Sequence, residues 1–120
     1  MLDHFVETEL LLDRGLVEIA ADTDKGLMRL VLDTGATWNV LNEELQSDQA
    51  LDVAVWDPAN VVEFTHLAIA STELGSVSFH RMPIQMPIHI EGILGVEFFQ
   101  RHAVFLDFLH SKAYISKNSE

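Results

Sequence analysis

Short apolar stretches separated by polar turns dominate this chain of 120 residues. Most apolar residues alternate with polar ones or come in runs of a few residues, a pattern that favours strands over helices. Stretches 16–21 and 27–32 flank a polar turn ending in Gly26, which predicts a hairpin. Only stretch 96–101 has a convincing helical pattern. The chain is therefore predicted to be a mostly β domain that closes as a barrel or sandwich.

Further elements follow from local signals. Asn42 and the two glutamates after it predict a capped helical turn. The turn Asp57-Pro58-Ala59-Asn60 has Asp and Pro in the positions that a type I turn favours. It predicts a second hairpin from stretches 51–56 and 61–67. The remaining predictions are a short strand at 40–41, a turn at 73–75, a strand at 76–82 and a final hairpin from 104–108 and 113–116.

Composition limits the possible functions. A length of 120 residues with 48% hydrophobic content predicts one folded domain over residues 1–120. The chain has no cysteine, which excludes thiol catalysis and thiolate-bound zinc. Its net charge of −12 argues against nucleic acid as a partner. The sequence contains no apolar stretch long enough to span a bilayer and no signal-peptide pattern, so no membrane insertion is expected. Cytoplasm and periplasm both remain open as locations.

One carboxylate stands at a position suited to chemistry. Asp33 ends an apolar run and is followed by Thr34 and Gly35, so it lies where strand pairing stops and a tight loop begins. A carboxylate there can be held rigidly by its neighbours and still face a cleft, which suits acid–base chemistry on water. The same three residues also fit an ordinary Asx-type turn at a strand end. A second apolar-apolar-glycine triplet, ending at Gly95 before the helical stretch, favours the catalytic interpretation.

With these two motifs the chain resembles the retropepsin-like aspartic proteases, and within them the cellular and bacterial branch. The first match is Val31-Leu32-Asp33-Thr34-Gly35-Ala36, with Val40-Leu41 following. The second match runs over 92–99 and continues through 101–108 into a last strand. The resemblance extends from Leu16 to Ser116. It implies an all-β closed barrel of the acid-protease type with one short helix near the C-terminus.

The resemblance also implies an activity. Each chain would supply Asp33 to a homodimer, and the two carboxylates would share a proton and activate a water on a peptide substrate. No cofactor is expected. Asp107 also follows two apolar residues, but neither Thr nor Gly comes after it, so it is interpreted as capping the last hairpin. A chain of this length cannot build two catalytic lobes, which is why a second copy is required.

The resemblance assigns supporting roles to two further groups of residues. Those around the catalytic loop are Thr34, Gly35, Ala36, Ile93, Leu94 and Gly95. Those of the flap that would cover the substrate are Trp56, Asp57, Pro58, Ala59 and Asn60. The flap lacks the glycine-rich tip of the family. The Asp–Arg ion pair of viral members is also missing, because Thr37-Trp38 and Val96-Glu97 stand at those places.

Two other interpretations stay open. These departures favour a catalytically inactive retropepsin-fold module that dimerises or binds peptides. The 6 histidines could alternatively mark a metal-binding β domain, but they are scattered and form no His-Glu-x-x-His pattern. No metal site is therefore predicted.

Overall fold

The computed structural model describes residues 4–43, 56–84 and 89–117. Within these ranges the chain forms twelve strands, one short helix and one 3-10 turn, Pro58–Asn60. The strands are β1 Phe5–Glu9, β2 Leu11–Asp13, β3 Leu16–Thr23, β4 Gly26–Leu32, β5 Val40–Leu41, β6 Val61–Phe64, β7 Leu67–Ile69, β8 Thr72–Glu73, β9 Val77–Arg81, β10 Gly92–Leu94, β11 Val104–Asp107 and β12 Lys112–Ser116. The helix α1 is Val96–Phe99. No helix among the described residues is long and apolar enough to cross a membrane.

Two sheets contain these strands. The larger is a half-barrel sheet with the order β6-β9-β5-β10-β4-β3-β7-β8, and β2 pairs with β3. The smaller has the order β1-β12-β11. Strand β10 lies between β4, to which it is parallel, and β5, to which it is antiparallel. This interleaving brings the ends of β4 and β10 together, and both candidate motifs lie at those ends.

The core follows the predicted alternation of apolar and polar residues. In β4, Met28 and Leu30 are buried, while Leu27 before them and Arg29 between them are exposed. Each fully buried large side chain stabilises the fold by about 1.5–3 kcal/mol relative to exposure. The large apolar side chains that are fully buried in the core are Ile19, Leu30, Leu41, Phe64, Phe79, Leu67, Ile69, Leu94 and Ile115. The mostly β fold with one short helix agrees with the predicted fold class.

Most of the predicted hairpins are present. Strands β3 and β4 form the first hairpin, and its turn is shorter than predicted because both strands extend to the pair Thr23 and Gly26. The Thr23 hydroxyl donates to the Gly26 carbonyl and closes the turn. The strand at 40–41 and the final hairpin of β11 and β12 are also confirmed. The strands β1 and β2 were not predicted.

Three local predictions were wrong. The stretch 61–67 is two strands rather than one, because the Asp24 carboxylate accepts the Thr65 N–H and draws the backbone out of the sheet. Glu73 belongs to β8, and the turn before it is formed by Ala70 and Ser71 with φ of 49° and 69°. The helix ends at Phe99 rather than 101, although hydrogen-bonded turns continue to residue 102. The predicted strand at 51–56, except Trp56, and most of the helical turn after Asn42 lie outside the described residues.

Candidate active site

Asp33 follows β4 directly and is exposed to solvent. Its N–H donates to the Leu94 carbonyl at 3.0 Å, and its carbonyl accepts the Ala36 N–H at 3.1 Å. Its Oδ1 accepts the Gly35 N–H at 2.8 Å. The backbone thus fixes both the loop and the orientation of the carboxylate. Among the described residues none donates to Oδ2, so this oxygen is open to a water or a ligand.

The predicted supporting residues lie together around this loop. Strand β10 places Ile93 beside Val31 and Leu94 beside Leu32. The Val96 N–H donates to the Ala36 carbonyl at 2.8 Å. These contacts join the two motifs into one unit. The catalytic role of Asp33 and the supporting roles of the residues around it stay predictions.

Gly95 makes the closest approach in this unit. A Cβ at this position would lie 2.3 Å from the Trp38 carbonyl oxygen and 2.6 Å from that of Ala36. Both are backbone atoms of the loop that follows Asp33, so neither can move without moving the loop. Only glycine allows the backbone to approach this closely. The triplet 93–95 thus packs directly against the Asp33 loop.

Asn39 was missed by the sequence analysis and is the polar centre of the site. It is buried, and its Oδ1 accepts the Gly95 N–H at 2.9 Å while its Nδ2 donates to the Ser78 carbonyl at 3.1 Å. Its backbone N–H donates to Glu97 Oε1 at 2.9 Å, and its carbonyl accepts the His80 N–H at 2.8 Å. These bonds connect the loop after Asp33 with β9, β10 and α1.

The predicted flap residues are tied to the body of the domain. Asp57 caps the 3-10 turn, since its Oδ1 accepts the Ala59 N–H at 2.9 Å, and Asn60 is buried. The Asn60 N–H donates to the Asp57 carbonyl at 2.9 Å, which agrees with the predicted turn. Pro58 and Ala59 within the turn are exposed. The residues just before Trp56 lie outside the described part, so the hairpin and the flap role stay predictions.

His80 anchors this turn from beneath. It is buried, its Nδ1 donates to the Arg81 carbonyl at 2.8 Å, and its Nε2 accepts the Asp57 N–H at 3.1 Å. Its ring packs 4.8 Å from Trp38 and 5.2 Å from Trp56, measured between ring centroids. Both ring nitrogens are thus used by the backbone. Trp56 packs on this cluster and remains 47% exposed.

An apolar groove adjoins the Asp33 loop. It encloses about 420 Å³ and carries no charged side chain. Its lining residues are Ala36, Thr37, Trp38, Val40, Met82, Pro83, Ile84 and Ile93. Several of them belong to the loop and the triplet described above, so an apolar group bound there would lie next to the candidate catalytic residue.

Asp107 occupies the end of a hairpin, in agreement with its interpretation. Its carboxylate accepts the His110 N–H at 3.1 Å and contacts His110 Nδ1 at 2.8 Å. These hydrogen bonds lower the pKa of Asp107. Asp107 therefore belongs to the last hairpin, whereas Asp33 lies at the junction of the two motifs.

The fold matches that of solved proteases. The chain is similar to a retropepsin-like aspartic protease from Rickettsia conorii, with a TM-score of 0.59 and 17% identity over 92% of this chain and 90% of the other. It is also similar to the retroviral protease-like domain of Ddi1 from Leishmania major, with a TM-score of 0.56 and 16% identity over 83% and 84%. No protein-family profile matches the sequence, and no curated protein does.

These similarities define the class of fold. The chain has a retropepsin-like fold, and sequence identities of 16–17% do not support the predicted cellular and bacterial branch in particular.

Proposed function

We propose that residues 1–120 form one retropepsin-like domain and that two copies make an aspartic endopeptidase. The observation that carries the proposal is the position of Asp33. It stands exposed at the junction of the β4 and β10 ends, with one oxygen fixed by the Gly35 N–H at 2.8 Å. A single carboxylate cannot serve as both base and acid in one step, so the site is completed by Asp33 of a second copy.

The mechanism follows from two carboxylates in close contact. Because both cannot ionise cheaply, the pair holds one proton and titrates as a unit, as in aspartic-protease dyads generally. The ionised carboxylate removes a proton from a water, and the water oxygen attacks the peptide carbonyl carbon. The protonated carboxylate gives its proton to the carbonyl oxygen, which forms a tetrahedral diol. The carboxyl that took the water proton then gives it to the amide nitrogen, and the other carboxylate takes a proton from one diol hydroxyl. The C–N bond breaks, a carboxylic acid and an amine leave, and the pair again holds one proton.

The proposed substrate is a peptide in an extended conformation. The uncharged groove of about 420 Å³ beside the Asp33 loop has room for an apolar side chain. Trp56 lies half-exposed on Trp38, one of the groove's lining residues, at a centroid distance of 5.4 Å. We infer that the enzyme prefers an apolar residue near the scissile bond.

Digestion of a peptide library tests the activity. Asp33→Asn should reduce cleavage by about 100-fold or more, since a positioned acid–base group contributes roughly 10²–10⁴-fold. Asp13→Asn, which removes the same charge from the end of β2, should cleave like the wild type. Cleavage that persists unchanged in Asp33→Asn would refute the proposal.

A second candidate is a retropepsin-fold module that dimerises or binds peptides without cutting them. The observation that favours it is the anchoring of Asp57 to buried His80, in a segment without glycine. A flap must move to admit and release a substrate, and this anchoring restrains its base. The same library distinguishes the two candidates, because the module would retain peptides intact.

A further inference from the structure

We propose that His80 is a pH-dependent anchor for the predicted flap. When its ring is neutral it holds the turn Pro58–Asn60 at Asp57, and when the ring is protonated it releases this turn. The inference rests on the proposed function, because it assigns the regulation of access to the Asp33 site. The contact that carries it is the hydrogen bond from the Asp57 N–H to His80 Nε2 at 3.1 Å.

The two ring nitrogens of His80 have different roles. Nδ1 contacts the Arg81 carbonyl oxygen at 2.8 Å, and a carbonyl can only accept, so Nδ1 carries the ring hydrogen. In a neutral imidazole the other nitrogen is then an acceptor, which matches the Asp57 N–H at Nε2. This tautomer is assigned from the two partners, and it is the assignment that satisfies both of them.

A second proton on the ring removes the acceptor. Both nitrogens of an imidazolium are donors, so an Nε2–H would point at the Asp57 N–H. Two donors in contact leave each other without a partner, which is unfavourable where water is excluded. The bond from Nδ1 to the Arg81 carbonyl is kept, because Nδ1 donates in both charge states. Protonation therefore acts on the side of the ring that faces Asp57.

The surroundings of the ring determine which partner moves. His80 is only 2% exposed and belongs to β9, which lies between β6 and β5 in the sheet. Its ring centroid is 4.8 Å from that of Trp38 and 5.2 Å from that of Trp56. Indole faces attract cations within about 6 Å, so the charged ring is retained between them. Pro58 and Ala59, in contrast, are exposed, and the turn can move away.

The turn has hydrogen bonds of its own that do not involve His80. Asp57 Oδ1 accepts the Ala59 N–H at 2.9 Å, and the Asp57 carbonyl accepts the Asn60 N–H at 2.9 Å. The turn can therefore keep its shape when the anchor is lost. A flap must move to admit and release a substrate, so loss of the anchor favours access to the site. The restraint that favours a module without cleavage thus belongs to one charge state of His80.

The other charged groups on the elements packed against His80 have partners of their own. They are Asp57 before the turn, Glu63 on β6, Arg81 on β9 and Glu43 after β5. Arg81 Nε donates to Glu43 Oε1 at 3.1 Å, and the Ser78 hydroxyl donates to Glu63 at 3.5 Å. Among the described residues, no charged side chain bonds to the imidazole. Of these residue types histidine is the one that ordinarily changes charge between pH 5 and 8, so the switch is expected in this range.

NMR of the Asp33→Asn variant, which removes self-cleavage, tests the anchor directly. The ring resonances of His80 report its charge. Solvent exchange of the Asp57 N–H, divided by the intrinsic rate at the same pH, reports the hydrogen bond. From pH 7.5 to 5.5 the protection of this N–H should fall roughly 2- to 10-fold, which is what one net hydrogen bond contributes. The fall should have the same midpoint as the titration of the His80 ring.

Two backbone amides and two variants serve as controls. The Asn60 N–H, bonded within the turn, and the His80 N–H, bonded to the Asn39 carbonyl at 2.8 Å, should keep their protection. His80→Gln supplies an uncharged amide oxygen that can accept the Asp57 N–H at every pH, so the protection at Asp57 should stay constant. His66→Gln removes a histidine that contacts Glu73 and Asp22 instead, and it should behave like the parent.

Peptide cleavage by chains that retain Asp33 gives a second readout. The ratio of kcat/KM at pH 5.5 to that at pH 7.5 should be roughly 2- to 10-fold lower in His80→Gln than in the wild type, because its anchor no longer opens in acid. His66→Gln should have the ratio of the wild type. Since each ratio is taken within one variant, a uniform loss of folded protein does not change it.

The possible results decide the proposal. A His80 ring that stays neutral down to pH 5 would overturn it, and so would protection of the Asp57 N–H that follows a different midpoint. Both are measured with His80 in place, so they hold even if His80→Gln fails to fold. Loss of protection at Asn60 together with Asp57 would also overturn it, because the whole turn would then be unfolding.

The NMR and cleavage results separate the anchor from the activity. Equal pH ratios of kcat/KM in wild type and His80→Gln would overturn the link to substrate access. A pH-dependent Asp57 bond in a protein whose wild type cleaves no peptide would support the anchor and refute only the proposed activity.

Discussion

Replacement of Gly95 by alanine is the sharpest test of how the site is built. The added Cβ would lie 2.3 Å from the Trp38 carbonyl oxygen and 2.6 Å from that of Ala36. The backbone at Gly95 is extended, with φ of −104° and ψ of −161°, which other residues also adopt. The cost therefore arises from steric overlap and not from a conformation that requires glycine.

The size of the stability loss depends on which atoms must move to make room for the Cβ. Overpacking of a core by small groups costs about 1–3 kcal/mol where side chains can adjust. Here the obstructing atoms are backbone oxygens, and the Ala36 carbonyl accepts the Val96 N–H at 2.8 Å. Shifting the loop also weakens this hydrogen bond, worth about 0.5–1.5 kcal/mol. We expect a loss of about 3 kcal/mol, a large fraction of the roughly 5–15 kcal/mol that stabilises a domain.

Urea denaturation measures this loss, and Gly75→Ala provides the control. Gly75 has φ of +100° with nothing within 4 Å of an added Cβ, so its replacement costs backbone strain alone. That strain is about 1–2 kcal/mol. Gly95→Ala should therefore be the less stable variant, with weaker peptide cleavage at temperatures where it is still folded. If Gly95→Ala were as stable as Gly75→Ala, the close approach of loop and triplet would be disproved.

Two further outcomes are expected. Asn39→Ala should lower the free energy of unfolding by about 1–3 kcal/mol, because it leaves the buried Gly95 N–H unpaired. Ser78→Ala keeps the backbone carbonyl that Asn39 contacts, so it should lower the free energy of unfolding clearly less in the same urea titration. The second outcome concerns His66. Its pKa is raised by its hydrogen bond to Glu73 and by Asp22. The pKa of Glu73 is lowered by the N–H groups of Gly75 and Leu67 and by His66. The contribution of His66 to the free energy of unfolding is complete below its usual pKa of 6.5 and is lost as the pH rises through its higher pKa in the folded state. The contribution of Glu73 is lost as the pH falls below 4.5. His66→Gln should therefore lower the melting temperature more at pH 5.5 than at pH 8.5, and an equal loss at both would contradict this pair.

The parts of the structure that were predictable depend on neighbouring residues. The first hairpin and the end of β4 at Asp33 follow from apolar alternation and from a polar turn within a few residues. The network of Asn39 could not be predicted, because its partners Gly95 and Glu97 lie 56 and 58 residues away. Nothing in a single asparagine indicates such partners.

The wrong predictions have similar physical reasons. Ala70 and Ser71 adopt positive φ, which these residue types seldom do, so the β7–β8 turn carried no local signal. The break after β6 depends on Asp24, which lies 41 residues before Thr65. In both cases tertiary contacts override the preference of the local sequence.

The position of β10 between β4 and β5 has a consequence for how the domain acquires its site during folding. Leu30 and Gly92 are paired in the sheet although 62 positions separate them in the chain. Closing such a long loop is a slow step, since its entropy must be lost before the contacts compensate for it. The β3–β4 hairpin can form early from local contacts, but the loop at Asp33 acquires its shape only when the Gly95 triplet arrives. The position of the carboxylate thus depends on that closure, so a chain caught before it has a nearly complete hairpin and an unformed site.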